Sequence, residues 1–256
     1  MLHFDQIIFG PVKSRRLGAS LGINLLPLQG KFCNFDCIYC ECGWNKDGRN
    51  DKQLHTRDAV KTALEARLQQ LASTCELPDA ITFSGNGEPT LHPEFSGIVD
   101  DVIALRNLYA PKAKVCVLSN ATNIAKKEVS QALRKIDRPI LKLDSGFADT
   151  VKQMNCPQND YSIENIVAAL QQFNGEFILQ TMFLRGEHEG IKLDNTTPEE
   201  LEKWLDIVTQ LRPKEVMIYT IDRATPAKQL QKVPLDELET IADKVRTMGI
   251  QVRTAG

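Results

Sequence analysis

The sequence alternates short apolar segments with amphipathic segments along most of its length, and this alternation limits the folds open to it. Between residues 56 and 74, Val60, Leu64 and Leu68 recur at the spacing of one helix face. The apolar segment at residues 80–83 is too short for a helix and is typical of a buried strand. This order of segments predicts β-α units arranged around a parallel sheet.

The whole chain can be divided into predicted elements in this way. We predict strands at residues 20–26, 80–83, 114–118, 139–143, 177–184, 215–219 and 251–254, and helices at 56–74, 94–108, 125–135, 162–173, from 197 onward and at 235–248. Thr197 is a typical N-cap, and Pro198 suits the first helical position. About six β-α units are fewer than the eight that close a TIM barrel. We therefore expect one α/β domain, an open, partial TIM-like barrel over residues 20–256 with a short N-terminal extension over residues 1–19.

Composition and charge are ordinary, with 42% hydrophobic residues, 25% charged residues and a net charge of −2. This balance gives little support to a nucleic-acid partner. No apolar run is as long as a membrane span, and the first residues do not resemble a signal peptide. We therefore expect a cytoplasmic protein with no membrane partner. One basic patch, Lys13, Arg15 and Arg16, is either a solvated charge run or a site for phosphate or carboxylate groups near the cysteines.

Three of the seven cysteines, Cys33, Cys37 and Cys40, lie in one run with the spacing C-x3-C-x2-C. Thiolates are soft ligands that hold iron–sulfur clusters, and three of them leave one iron of a four-iron cluster open. The alternative, a structural zinc site, usually takes four ligands in paired C-x2-C elements, and only one such pair is present. Cys42 is interpreted as a spare thiol, with a fourth ligand as the alternative. The other cysteines are interpreted as buried apolar residues: Cys75, Cys116 and Cys156.

Glycines and polar residues follow two of the predicted strands, where ligands gather in parallel sheets. After residues 80–83 comes the run Gly85-Asn86-Gly87-Glu88-Pro89. Its glycines let the backbone approach a ligand closely, and Glu88 offers an acceptor for an ammonium group. Ser119 and Asn120 follow the next strand, either as a polar turn or as part of a binding site.

The later strands carry polar residues on the face that we expect to line the barrel. Lys142 and Asp144 alternate with leucines that pack on helices, so these two residues point inward. They are either a paired interior charge or residues that orient a ligand. Gln180 is polar within an otherwise apolar strand. Three residues at a later strand end are interpreted as substrate-recognition residues or as a salt-bridged surface turn: Tyr219, Asp222 and Arg223.

The cysteine run and the glycine-rich run resemble the signature of the radical S-adenosylmethionine (SAM) superfamily. The resemblance implies that Cys33, Cys37 and Cys40 hold a 4Fe–4S cluster whose fourth iron is chelated by the amino and carboxylate groups of SAM. The reduced cluster then cleaves SAM to a 5′-deoxyadenosyl radical, which abstracts hydrogen from a substrate. The resemblance also implies a partial barrel fold and an electron donor such as flavodoxin or ferredoxin.

The same resemblance suggests roles for individual residues. Tyr39 is expected to meet the adenine of SAM through its backbone, and the G-N-G-E-P run is a variant of the superfamily's G-G-E-P motif, which contacts the amino group. We therefore predict these SAM-binding residues: Tyr39, Gly85, Asn86, Gly87, Glu88, Pro89, Ser119, Asn120, Asp144 and Gln180. We predict these substrate-side residues: Lys13, Arg15, Arg16, Lys142, Tyr219, Asp222 and Arg223.

A narrower resemblance joins residues 9–18 and the runs 142–144, 180–183 and 219–223 to a branch of Fe–S oxidoreductases loosely grouped with tRNA wyosine-forming synthetases. The balanced charge gives tRNA little support as the substrate.

Three alternatives stay open: an activase that installs a glycyl radical on a partner protein, a non-enzymatic iron–sulfur electron carrier with Cys42 as fourth ligand, and a zinc-stabilised binding module. The glycine-rich run and Asn120 favour the enzyme, because neither the carrier nor the binding module needs them.

Overall fold

The computed structural model describes residues 4–14, 17–47 and 53–256. Within them the strands are β1 Ile8–Ser14, β2 Gly18–Ile23, β3 Ala80–Phe83, β4 Lys114–Ser119, β5 Arg138–Lys142, β6 Ile178–Met182, β7 Leu184–His188, β8 Ile191–Asp194, β9 Glu215–Tyr219, β10 Gln229–Lys232 and β11 Gln251–Ala255. The α-helices are α1 Arg57–Ser73, α2 Phe95–Tyr109, α3 Lys127–Leu133, α4 Ala148–Asn155, α5 Ile163–Gln171, α6 Pro198–Leu211 and α7 Leu235–Arg246. None of the described helices is both long and apolar enough to span a membrane.

Eight strands form one curled sheet in the order β1-β2-β3-β4-β5-β6-β9-β11. The strands from β2 to β11 pair in parallel, whereas β1 pairs antiparallel with β2. All four residues of β3 are buried, as expected of a parallel strand covered on both faces. The predicted α/β fold, an open, partial TIM-like barrel, is confirmed.

The helices cover the outer face of this sheet through the apolar stripes that the sequence predicts. Val60, Leu64 and Leu68 of α1 are fully buried in the main hydrophobic core. The start of α6 also follows the prediction: the Thr197 side chain accepts a hydrogen bond from the backbone N–H of Glu200, and Pro198 takes the first helical position. These local signals therefore place the helices correctly around the barrel.

Several elements were not predicted. The strand expected over residues 177–184 ends at Met182, and β7 then turns away to form a second sheet with β8 and β10. The strands β8 and β10 carry mostly exposed or half-buried residues and lack the apolar alternation that marks a strand in the sequence. Helix α4 has eight residues, too few for a clear apolar stripe.

The segment that we assigned to an N-terminal extension contributes β1 to the sheet. Its register pairs Ile8 with Ile23 and Lys13 with Ala19. Lys13 therefore lies at the amino end of β2, whereas the cysteine run follows the carboxyl end of that strand. The expectation that Lys13 lies near the cysteines is wrong, because an antiparallel neighbour carries it to the opposite edge. Arg15 and Arg16, the rest of the basic patch, lie outside the described residues.

The remaining cysteines differ in burial. Cys116 is buried in β4, as expected, and burial raises its pKa to about 11. Cys75 is exposed just after the end of α1, and Cys156 is half-buried at the end of α4. The interpretation of these three residues as buried apolar side chains therefore holds for Cys116 alone.

Candidate active site

The cysteine loop, residues 33–40, is held on one side by the glycine-rich turn that follows β3. The backbone N–H of Phe32 donates to the carbonyl of Asn86 (2.8 Å), and the N–H of Glu88 donates to the carbonyl of Phe32 (3.1 Å). Gly87 has φ = +137°, and a Cβ on it would lie 1.9 Å from the Phe32 carbonyl oxygen. Only glycine permits this approach, so Gly87 fixes the loop against the ends of β2 and β3.

The carboxyl end of α4 holds the other side of the cysteine loop. The backbone N–H of Ile38 donates to the carbonyl of Met154 (3.0 Å), and that of Asp36 donates to the carbonyl of Asn155 (3.0 Å). A short antiparallel bridge joins Phe35 to Pro157. These contacts satisfy helix-end carbonyls while they fix the loop that carries the three cysteines.

Each of the three cysteine sulfurs has a hydrogen-bond donor close to it. The Asn120 amide donates to Cys33 Sγ (3.8 Å), and the Asn155 amide donates to Cys37 Sγ (3.5 Å). Burial raises the pKa of both Cys33 and Cys37. Hydrogen bonding from Cys42 lowers the pKa of Cys40 below its usual range. Burial therefore favours the neutral thiol at Cys33 and Cys37, and of the three cysteines Cys40 alone is shifted toward the thiolate.

Lys31 places a positive charge beside these sulfurs, and the sequence reasoning missed it. Its side chain is 2% exposed, and its ammonium donates to Asp36 Oδ1 (3.0 Å) and to the Gly43 carbonyl (2.9 Å). Burial alone would lower the pKa of Lys31, but the neighbouring cysteines Cys40, Cys37 and Cys33 raise it above the usual range. A lysine two residues before the first cysteine was the only sequence signal of this role.

The donor set fits an iron–sulfur cluster. Three soft sulfur ligands, a fixed ammonium group and N–H donors to sulfur are what a thiolate-bound cluster requires. Among the described residues, no three histidine, cysteine, aspartate or glutamate side chains are placed to share one metal ion. A cubane cluster does not require that arrangement, because each cysteine binds a separate iron.

Glu88 ties the glycine-rich turn to the end of β4. Its carboxylate accepts hydrogen bonds from the Thr90 N–H (3.0 Å), the Thr90 hydroxyl (2.6 Å), the Ser119 hydroxyl (2.9 Å) and the Asn120 N–H (2.7 Å). Burial raises the pKa of Glu88, and these four donors oppose that rise. Three donors share Oε1 and one uses Oε2, so Oε2, with two lone pairs, keeps one acceptor position for a further donor.

Asn86 ties the glycine-rich turn to other segments of the chain. Its side chain is fully buried; the amide donates to the carbonyls of Phe4 (2.8 Å) and Pro27 (2.9 Å), and the amide oxygen accepts from Phe4 N–H (3.1 Å). Its backbone N–H donates to Asn24 Oδ1 (3.1 Å). Asn86 therefore holds the turn in place against Phe4 and Pro27.

Ser119 and Asn120 lie at the end of β4, beside the cysteine loop. Besides its contact with Cys33, the Asn120 amide donates to Asn34 Oδ1 (2.8 Å), and its oxygen accepts from the Thr122 hydroxyl (2.7 Å). The Ser119 hydroxyl donates to Glu88. The structure thus brings together the predicted residues of two neighbouring strand ends.

A buried polar network links the inward face of β5 to the cysteine loop. The Tyr39 hydroxyl donates to Asp144 Oδ2 and accepts from the Lys142 ammonium (2.5 Å) and the Asn155 amide (2.8 Å). Burial raises the pKa of Tyr39, and the Asp144 carboxylate raises it further. Burial opposes the charge of Lys142, but Asp144 raises its pKa above the usual range, so the ammonium stays protonated. The Tyr39 side chain thus enters the barrel beside Lys142 and Asp144.

The other inward-facing predictions lie on neighbouring strands. Gln180 pairs with Lys142 in the register of β5 and β6, and its side chain has no hydrogen-bond partner among the described residues although Gln180 is 5% exposed. Tyr219, at the end of β9, contributes to the raised pKa of Lys142. Arg223 instead pairs with Glu41 (2.5 Å), and Asp222 lies 3.9 Å from Lys232. These last two residues occupy a salt-bridged surface turn above the cysteine loop.

The small sheet packs over the same loop. Leu184 and Leu193 belong to one apolar cluster with Cys37 and Ile38, and the Ala227 N–H donates to the Ile38 carbonyl (3.1 Å). The unpredicted strands therefore shield the cysteine loop from one side.

Comparisons with known proteins identify the family of the chain. The model of the Radical SAM superfamily matches residues 29–206, about two thirds of the chain. A protein named GTPase Obg from Brachyspira hyodysenteriae is 29% identical over 91% of this chain, and the chain spans 32% of its length. A UPF0026 protein of Methanocaldococcus jannaschii is 30% identical over 91% of this chain and 69% of its own length.

Solved structures show the same fold. A radical SAM methyltransferase from Sphaerobacter thermophilus superposes with a TM-score of 0.67 and 14% identity, over 92% of this chain and 65% of that one. A structure of TYW1 with a lysine–pyruvate adduct bound has a TM-score of 0.62 and 15% identity, over 89% of this chain and 73% of that one. The chain belongs to the Radical SAM superfamily, a superfamily of enzymes, and the resemblance read from its motifs is confirmed.

Proposed function

We propose that this chain is a radical SAM enzyme in which Cys33, Cys37 and Cys40 hold a 4Fe–4S cluster and SAM occupies the fourth iron. When bound and reduced, this pair of cofactors supplies a 5′-deoxyadenosyl radical, which abstracts hydrogen from a substrate. The observation that carries the proposal is the environment of the three sulfurs, each with a donor and all beside the buried ammonium of Lys31.

The chain's own residues divide the remaining tasks. Gly85 and Gly87 bring the backbone of the turn close to the cysteine loop, where the amino group of SAM is expected. Glu88 holds the turn to β4 and keeps one acceptor position on Oε2 for that ammonium group. Gln180, with an amide that no described residue engages, is a candidate to bind a SAM or substrate polar group. Other residues at this edge that we assign to SAM are Tyr39, Pro89, Ser119, Asn120 and Asp144.

On the substrate side we propose Lys142 and Tyr219, which face the interior of the half-barrel. An amine must lose its proton before it forms an adduct with a carbonyl, and the raised pKa of Lys142 keeps it charged. Lys142 is therefore proposed to orient a substrate by charge and hydrogen bonding, rather than to form an adduct of the kind in the TYW1 structure.

Several parts of the proposal concern partners. We propose a small electron-donor protein such as flavodoxin or ferredoxin as the reductant and the cytoplasm as the location. A glycyl-radical activase would use the same chemistry on a partner protein, and the structure gives no observation that favours it.

The direct test is reductive cleavage of SAM. The protein is reconstituted anaerobically with iron and sulfide, mixed with SAM and dithionite, and assayed for 5′-deoxyadenosine. We expect product with the natural sequence and with the control Cys75→Ala, whose cysteine is exposed and distant in sequence, and none with Cys37→Ala. An intact cluster in the natural sequence that yields no product, or product from Cys37→Ala, contradicts the proposal.

The second candidate function is a non-enzymatic electron carrier with Cys42 as fourth ligand. It has one observation in its favour, because the Cys42 thiol lies in hydrogen-bond contact with Cys40 and 3.5 Å from the Gly85 carbonyl. This candidate predicts a complete cluster whose spectrum does not respond to SAM, and loss of that cluster in Cys42→Ser.

A further inference from the structure

We propose that Asn155 is a positioning residue that sets the reduction potential of the cluster through the sulfur of Cys37. It also connects that sulfur to the buried pair Lys142 and Asp144. The inference rests on the proposed function, because it takes Cys37 as a cluster ligand. Nothing in the sequence pattern singled out Asn155, which lies in a helix that was not predicted.

The placement of Asn155 is tightly defined. It is 1% exposed at the last position of α4, and its backbone carbonyl accepts the N–H of Asp36 inside the cysteine loop (3.0 Å). Its side-chain Nδ2 lies 2.7 Å from Asp144 Oδ2, 2.8 Å from the Tyr39 hydroxyl and 3.5 Å from Cys37 Sγ. The residue thus holds the loop with its backbone and the sulfur with its side chain.

The chemistry of the neighbours fixes which end of the amide faces the sulfur. Asp144 accepts hydrogen bonds from Tyr39 and, through Oδ1, from the Met182 N–H (2.9 Å), so its carboxylate acts as an acceptor. The Tyr39 hydroxyl donates its hydrogen bond to Asp144, so toward Asn155 it can only accept. The amide oxygen of Asn155 would face acceptors if the group were flipped, so the NH2 group occupies this position. Two N–H groups then serve three acceptors, one of which is the sulfur.

A hydrogen bond to a ligand sulfur favours the reduced form of an iron–sulfur cluster, because reduction adds negative charge that the donor stabilises. Cys37 is the most buried of the three ligands, whereas Cys33 and Cys40 are half-buried. Electrostatic contacts are stronger where water is excluded, so we expect the contact from Asn155 to act more strongly than that from Asn120 to Cys33.

The same amide also contacts Tyr39 and Asp144, which hold Lys142. A ligand that displaces Lys142 from Tyr39 removes one of the hydrogen bonds that the tyrosine hydroxyl accepts. The same hydroxyl also accepts a hydrogen bond from Asn155. An unbroken series of hydrogen bonds thus runs from Lys142 through Tyr39 and Asn155 to Cys37.

The test is the midpoint potential of the cluster in the reconstituted full chain, measured by an EPR-monitored redox titration without SAM. We compare the natural sequence with Asn155→Leu, which keeps the number and branching of the side-chain heavy atoms and removes the N–H donor. The matched control is Asn195→Leu. Asn195 is equally buried and donates to the carbonyls of Asp144 (2.9 Å) and Met182 (2.8 Å), but among the described residues it makes no hydrogen bond to a cysteine sulfur.

We expect Asn155→Leu to assemble the cluster with a more negative midpoint potential, while Asn195→Leu keeps the natural value. An unchanged potential in Asn155→Leu, or an equal shift in the control, overturns the inference. If Asn155→Leu does not fold, Asn155→Ala removes the same donor. The same expected and contradicting midpoint potentials then apply to Asn155→Ala. Failure of the natural sequence to assemble a 4Fe–4S cluster counts against the proposed function instead, so the two failures are distinguishable.

Discussion

The two edges of the eight-stranded sheet are built from different chemistry. At the carboxyl edge the cysteine loop, the glycine-rich turn and the Lys142–Asp144 pair lie together, and several of these groups have shifted pKa values. Toward the amino edge the inner face carries Ile140, Ile178 and Met217, with Leu17 packed against them.

The amino edge has a charged group of its own, but it is paired internally. Glu215 is 6% exposed and accepts from Arg138 (2.9 and 3.0 Å) and from Arg253 (2.9 Å). These three residues come from β5, β9 and β11, so the cluster ties neighbouring strand starts together. The Glu215 carboxylate is therefore neutralised by arginines of the protein rather than by a ligand.

In this fold, residues that stabilise the protein lie toward the amino ends of the strands, and residues proposed to bind cofactors lie at the carboxyl ends. At the amino edge Glu215 is paired with two arginines, whereas the carboxyl edge keeps Gln180 without a hydrogen-bond partner among the described residues and three thiols beside a fixed ammonium group. Substitutions at the amino edge are therefore expected to change the free energy of unfolding alone, and those at the carboxyl edge to change cofactor binding as well.

The largest effect is expected from Gly87→Ala at the carboxyl edge. The new Cβ would lie 1.9 Å from the Phe32 carbonyl oxygen, at a φ of +137° that alanine rarely adopts. We expect a loss of about 3–5 kcal/mol of unfolding free energy, measured by urea denaturation, together with loss of iron binding.

Gly190→Ala is the matched control for this strain. Gly190 also has a positive φ, +79°, but a Cβ there meets nothing within 4 Å in the described residues. It should cost about 1–2 kcal/mol and leave iron binding intact. If both variants lost the same unfolding free energy and iron binding, the contact between the glycine-rich turn and the cysteine loop would not contribute to either.

Glu215→Gln breaks the amino-edge cluster and is expected to be the next largest effect. It leaves Arg138, whose side chain is 21% exposed, without a carboxylate partner. We expect a loss of about 1–3 kcal/mol in unfolding free energy. Iron content and 5′-deoxyadenosine formation per folded molecule should not change, and a fall in either would contradict the separation of the two edges.

Glu88→Gln is expected to have a smaller effect that depends on pH. Burial raises the folded-state pKa of Glu88 above its ordinary value of 4.5, so folding favours the protonated form. The contribution of Glu88 to stability is therefore fully present below pH 4.5 and is lost as the pH rises through the folded-state pKa. Glutamine does not titrate, so the stability of the natural sequence relative to Glu88→Gln should fall across that range, as measured by urea denaturation at a series of pH values.

Cys42→Ser should have the smallest effect. We interpret Cys42 as a spare thiol that donates to the Gly85 carbonyl rather than as a ligand, and a serine hydroxyl can donate in its place. Iron and sulfide content should stay at that of the natural sequence. A variant without a cluster would support the electron-carrier candidate.

The sequence predicted those parts of the site that depend on local pattern. The C-x3-C-x2-C spacing, the glycines at positive φ and the polar residues after β4 are readable because each signal lies within a few residues. The alternation of segments likewise predicted the parallel strands and the helices that cover them.

Contacts between segments far apart in the chain could not be predicted from the sequence. Asn155 reaches Cys37 from a short helix more than a hundred residues away, and Asn86 is occupied by Phe4 and Pro27. Lys13 was misplaced because strand direction depends on pairing, which a run of basic residues does not reveal. These failures share one cause, since hydrogen-bond partners far apart in sequence leave no periodic signal.

The central claim, that the carboxyl edge binds a cluster with one iron open to SAM, is tested most directly by EPR spectroscopy of the reduced, reconstituted protein. Spectra are recorded with and without SAM for the natural sequence and for Glu215→Gln at the opposite edge. The account predicts that SAM changes the spectrum of both proteins in the same way. A 4Fe–4S cluster whose spectrum is identical with and without SAM would contradict it.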